Sequence, residues 1–121
     1  GYANRALLLQ QSGDYDAAIR DYNRALSLNP HAADSYGGRA VCRIHKKEWD
    51  LAIADLSEAI HRSPNTPKHW ARRAFAREKK GERSDALQDL ERARELTPGG
   101  TPEREVVDKE IERMRKAMTP R

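Results

Sequence analysis

The sequence predicts an all-α protein of three helical hairpins and one closing helix, and three observations lead there. Charged residues make up 35% of the 121 positions and hydrophobic ones only 37%, so a core must be built from few large apolar side chains. Seventeen alanines supply the alternative, since Ala is the strongest helix former and lets helix axes approach closely, and β-branched residues are scarce. Laid over itself at a shift of 34 residues, the chain then aligns Ala6, Ala40 and Ala74; Ala18, Ala52 and Ala86; Ala25, Ala59 and Ala93; and Pro30, Pro64 and Pro98. A fixed period of that length marks stacked supersecondary units.

Each unit reads as two amphipathic helices. In the first, Tyr2, Ala6 and Leu9 share one face of a helix A, Gly13 turns the chain, and Asp14 caps a helix B whose inner face carries Ala18, Tyr22 and Ala25 until Pro30 stops it. The second unit repeats this from Tyr36, with Lys47 in the turn column, and the third from Trp70, with Gly81 in that column. Arg5, Arg39 and Arg73 each precede Asp21, Asp55 and Asp89 by 16 residues, a separation that a hairpin folds into an interhelical ion pair. Thr101-Pro102-Glu103 then opens a last helix with a capping hydroxyl, a first-turn proline and an acid at the positive end of the dipole. Val107, Ile111, Met114 and Met118 form its single apolar stripe, which is expected to seal the third unit, the two methionines serving as core packing.

These residues resemble the tetratricopeptide repeat family: 34 residues, an aromatic near the start, small residues in the middle of both helices and a closing proline. The resemblance covers residues 1–100 as three repeats, 1–32, 33–66 and 67–100, followed by a solvating helix over 101–121. It implies a right-handed α-solenoid acting in protein–protein interaction. The chain departs from the pattern at Arg43 and Arg77, where the family has aromatic or large apolar residues, and at Lys47, which replaces a glycine and should cost about 1 kcal/mol if left-handed. The first repeat begins at the family's third position, so the chain reads as the C-terminal piece of an array.

Other classes lack the residues they need. The long uncharged stretches, residues 6–13 and 25–33, are too short to cross a bilayer, and the N-terminal residues lack the order of a secretory signal, so the expected compartment is the cytoplasm. Cys42 is alone, and His31, His45, His61 and His69 never stand four apart, so neither a metal site, a cofactor nor a catalytic centre is expected. The sequence pI of about 9.4 suggests nucleic acid, but the first two repeats are each neutral, and acids lie one turn from every basic cluster. No nucleic-acid or membrane partner is expected.

What is left is a non-catalytic interaction scaffold. Helix A of each stacked unit lines the concave face, so its side chains pointing away from helix B are the candidate peptide contacts. They are Asn4, Leu7 and Gln11 in the first unit, Gly38, Val41 and His45 in the second, and Lys68, Arg72, Phe75 and Lys79 in the third. Leu7, Val41 and Phe75 occupy one column as an apolar strip, Gly38 offers room for a ligand backbone, and Lys68 and Arg72 suit an acidic group on an extended or helical peptide. Two rival readings remain. One is a structural spacer or homodimerising module that pairs through the unshielded first helix. The other follows from the resemblance: Lys68-His69-Trp70-Ala71-Arg72 is similar to the third-repeat part of the co-chaperone clamp for acidic C-terminal tails, although Ala3, Leu7 and Gly38 stand where that clamp has Lys and Asn.

Overall fold

The computed structural model describes residues 1–120 as seven helices; Arg121, the end of the expected 101–121 segment, lies outside the described residues. They are α1 (Tyr2–Gln11), α2 (Tyr15–Leu28), α3 (Ala33–His45), α4 (Trp49–Arg62), α5 (Pro67–Lys80), α6 (Arg83–Leu96) and α7 (Pro102–Met118). The chain divides into two compact units at Pro64. In the first, α1 pairs with α2, α3 pairs with α4, and α2 packs on α3; in the second, α5 pairs with α6 and α7 packs on α6. The fold is all-α, as the period and the alanine content require.

Local chemistry sets the helix ends. The turn inside each hairpin passes through the left-handed region at Gly13 (φ 87°), Lys47 (φ 61°) and Gly81 (φ 98°). Two of these are glycines, and Lys47 bears the Cβ strain that the missing glycine would have avoided. The Asp14 side chain accepts from the Ala17 N–H at 3.3 Å and Thr101 Oγ1 accepts from the Arg104 N–H at 3.2 Å, so both sequence-expected caps form.

Alanine makes the hairpins close. Ala6, Ala18, Ala40, Ala52, Ala59, Ala86 and Ala93 are wholly buried and Ala74 nearly so, whereas Ala25 is only half-buried. In the first unit Tyr22 and Cys42 fill the space between such alanines, with Leu9, Tyr15 and Ile19 at the margin. In the second, Ile111 and Met114 of α7 close over Ala74, Ala86 and Leu90, with Leu87 and Val107 beside them. The closing helix therefore seals the α5–α6 hairpin, while Met118, the end of its stripe, is only half-buried.

The repeated Arg–Asp columns are two-bond ion pairs. Arg5 grips Asp21 at 2.6 and 2.9 Å, Arg39 grips Asp55 at 2.9 and 2.7 Å, and Arg73 grips Asp89 at 2.9 and 2.8 Å. Each carboxylate is buried, and each takes a second arginine: Arg24, Arg43 or Arg77 at 3.1, 2.8 and 2.9 Å. Arg43 and Arg77, two of the three departures from the family pattern, are thus second arms of these nodes, because a cation one turn along the same helix reaches the carboxylate oxygen that the first arginine's Nε also holds. The column arginine also lies over the opening aromatic of its repeat, 5.4 Å from Tyr2, 5.7 Å from Tyr36 and 5.1 Å from Trp70. Aromatic, arginine and aspartate form one strut, repeated three times.

Candidate functional site

On the first unit, Asn4, Leu7 and Gln11 fall on one face of α1, at i, i+3 and i+7, and all three are exposed. Gly38, Val41 and His45 keep the same spacing on α3. The expectation that Gly38 leaves room for a ligand backbone needs correction. A Cβ there would collide with the Tyr22 ring, so the space already belongs to α2. Tyr22 donates its hydroxyl proton to Gln10 Oε1 at 2.7 Å, which fixes the ring in that slot. His45 is stacked on Tyr15 with ring centroids 4.5 Å apart and planes within 7°, and Val41 is half-buried. Beside them Lys46 holds Asp16 at 2.5 Å and keeps that carboxyl below its ordinary range.

On the second unit the four predicted residues share one helix. Lys68, Arg72, Phe75 and Lys79 stand at i, i+4, i+7 and i+11 of α5, one stripe along one face. Phe75 is 47% exposed, and the Lys79 ammonium sits 5.4 Å from its ring centroid. Lys68 and Phe75 of the stripe line a groove between α5 and α7, whereas Arg72 and Lys79 do not. One end, about 720 Å³, is lined by residues including Pro67, Lys68, Ala71, Pro98, Glu103 and Val106. The other, about 190 Å³, is enclosed by residues including Ala71, Phe75, Glu78, Val106, Glu110 and Met114. Ala71, Val106 and Val107 belong to both, so the two form one channel with a floor of small side chains.

Residues of α7 therefore make a wall, although the sequence assigns that helix only to sealing the core. Val106 is 62% exposed where its neighbour Val107 is half-buried. The signal was a second valine standing off the apolar stripe, with no reason in the core to be there. At the narrow end Arg113 donates to Glu78 at 3.1 and 2.7 Å and to Glu110 at 2.9 Å, strapping α5 to α7. The hydrogen bonds from Arg113 hold the Glu78 carboxyl below its ordinary range and, with those to Glu110, raise the guanidinium in turn.

Burial, not activation, governs the one thiol. Cys42 is wholly buried and desolvation pushes it up to about 11, the reverse of what a nucleophile needs. Among the described residues no three His, Cys, Asp or Glu side chains gather in a metal-binding arrangement, and no helix is long and apolar enough to cross a membrane.

A family model described as tetratricopeptide repeat matches residues 4–68. No curated protein matches the sequence significantly. Among solved structures, the type III secretion translocator chaperone SycD of Yersinia enterocolitica superimposes with a TM-score of 0.90 at 24% identity, covering 96% of this chain and 82% of SycD. The same chaperone in complex with a peptide of the translocator YopD gives 0.85 at 25% identity, covering 96% of this chain and 88% of that one. The second TPR domain of human RPAP3, in complex with the HSP70 peptide SGPTIEEVD, gives 0.85 at 25% identity, covering 94% and 92%.

Proposed function

Because the chain belongs to the tetratricopeptide repeat family, we propose that it is a non-catalytic scaffold that binds a peptide or protein partner through the exposed faces of its A helices. In this reading residues 1–32, 33–66 and 67–100 are the repeats, residues 101–121 close the array, and α1, α3 and α5 are the A helices. The single observation that carries the reading is the groove of the second unit, an apolar channel open to solvent whose α5 side presents Lys68 and an exposed Phe75. An apolar slot rimmed by a few polar groups is the common form of a ligand site, because the slot supplies affinity and the rim supplies orientation. Two structural relatives at 25% identity hold peptides, which favours the same use here.

Arg72 and Lys68 suit an acidic group on that partner, Arg72 by a planar two-bond grip and Lys68 as a point charge one turn earlier. A complete clamp for an acidic C-terminal tail is disfavoured, since Ala3 and Leu7 offer no polar group and Gly38 serves to seat Tyr22. A second reading, a homodimerising spacer, draws on Leu7 and Leu8, which are 45% and 66% exposed on α1.

The test is selection of peptides from a displayed library on the whole chain, followed by titration of the strongest binder against variants. Phe75→Ala should weaken it by about 1–3 kcal/mol at any salt concentration, and Arg72→Ala by a similar amount that shrinks as salt rises. Variants that bind as the parent does would remove the groove from consideration. A mass that rises with protein concentration and is abolished by Leu8→Glu would favour the spacer.

A further inference from the structure

The side chains that line the α5–α7 groove are rich in hydrogen-bond acceptors and poor in donors, and we infer that its occupant is an amphipathic helix that sets a lysine or arginine against Glu103 at the wide end. The inference rests on the reading of this groove as a peptide site and adds the chemistry of the peptide.

Three carboxylates reach the lining, Glu103 at the wide end and Glu78 and Glu110 at the narrow one, against a single cation, Lys68, which is already engaged. Arg72 and Lys79 stand outside the lining, so an acid met by Arg72 lies beside the channel, not in it. The hydroxyls do not change the balance: Thr97 gives its proton to the Ala93 carbonyl at 2.7 Å and Thr101 to that of Pro98 at 2.7 Å. At the narrow end Arg113 holds both glutamates, at 2.7 and 2.9 Å, so the two anions there share one cation. Glu103 is exposed in the first turn of α7 and forms no ion pair among the described residues, which leaves it as the charge a ligand meets at the mouth of the channel.

The same balance decides the form of the backbone. Glu103, Val106 and Glu110 stand at i, i+3 and i+7 of α7, so that wall reads acid, apolar, acid over about two turns. An extended peptide laid along it could give N–H groups to the carboxylates, but its carbonyls would face Ala71, Val106 and Val107, whose side chains donate nothing. A buried carbonyl without a donor is costly. A helix pairs its own carbonyls and lowers apolar side chains between Phe75 and Val106. The polar side chain bordering those anchors must then donate: a carboxylate would be repelled by Glu103, whereas an ammonium or guanidinium completes a charge-assisted bond. The chain as a whole carries +4, so its overall field favours acids, and a preference for a base reports this local arrangement.

Three synthetic peptides test this on the full chain. They share one apolar stripe and a side-chain lactam that holds them helical, and they differ only in the residues bordering the stripe: lysine, glutamine or glutamate. In fluorescence anisotropy at low salt, the lysine peptide should bind roughly tenfold tighter than the glutamate one, with glutamine between, and the spread should narrow at high salt. Glu103→Gln should remove most of that spread, while Glu105→Gln, in the same first turn but off the lining, should leave it; circular dichroism checks that both variants keep their helix. A lysine peptide with a central proline and no lactam should lose most of its affinity. A glutamine or glutamate peptide that equals the lysine one on the parent chain, or a spread that Glu103→Gln leaves intact, overturns the base, and a proline peptide as tight as the helical one overturns the helix. If all three bind alike yet Phe75→Ala weakens each, the groove is a peptide site and its charge preference is wrong. If none binds, or binding ignores both Phe75→Ala and Val106→Ala, the groove reading falls and this one with it.

Discussion

Arg43 donates to Asp55 at 2.8 Å and shares that carboxylate with Arg39, one turn earlier on α3. Both arginine side chains are only 17% exposed, against 58% and 54% for Arg5 and Arg24 around Asp21. Removing a buried anion strands its cations, so Asp55→Ala should cost about 3–5 kcal/mol. Asp21→Ala should cost less, because water already reaches both of its arginines. Urea unfolding of the two variants side by side checks the order.

Among the described residues Lys47 is the one non-glycine with positive φ. Lys47→Gly should therefore stabilise the chain by about 0.5–1 kcal/mol, strain relief exceeding the added entropy of the unfolded state. The expected sign is a higher urea midpoint at unchanged slope.

The seal by α7 makes a third expectation. Met114 is 2% exposed against Ala74, Ala86 and Leu90. Met114→Ala should cost about 2–5 kcal/mol. Deleting residues 101–121 should lose more helicity by circular dichroism than those residues contribute themselves. A truncated chain that melts as the whole one does would make α7 an appendage.

Acid should weaken the ties between helices in a definite direction. Hydrogen bonds from Arg113 hold Glu78 low, and those from Arg5 hold Asp21 low. A carboxyl depressed in the folded chain contributes stability above its unfolded value and loses it as pH falls through the folded value. Thermal midpoints should thus fall on acidification below the ordinary carboxylate range, and Arg113→Gln should shrink the part due to Glu78.

Cys42, buried and raised to about 11, should resist iodoacetamide at pH 8 in the folded chain and react fully in urea. Rapid labelling without denaturant would show that the α2–α3 packing opens.

The fold was legible because the 34-residue period repeats what each hairpin must do alone: small residues where helices cross, a turn, and a stop. The Arg5, Arg39 and Arg73 pairs were legible for the same reason, since a spacing of 16 recurred. Arg43 and Arg77 looked like defects in a pattern, because their partner lies 12 residues away on another helix and only the packed hairpin brings it near. Gly38 misled because a glycine announces space without saying who fills it, and the occupant, Tyr22, comes from the preceding repeat. Val106 stands off the stripe of Val107, Ile111, Met114 and Met118, but an exposed valine shows its use only once the groove beside it is formed.

One helix thus answers to two demands, since Ile111 and Met114 of α7 complete the interior while Val106, a turn away, faces the channel. Occupancy and folding are then coupled. A ligand resting on Val106 must hold α7 in place to keep its own contacts, so it slows the fraying of the whole second unit, and amides of α6 far from the channel should exchange hydrogen more slowly when it is filled. The converse also holds: a substitution such as Ile111→Ala, at a core residue that does not line the channel, should weaken binding by loosening the wall.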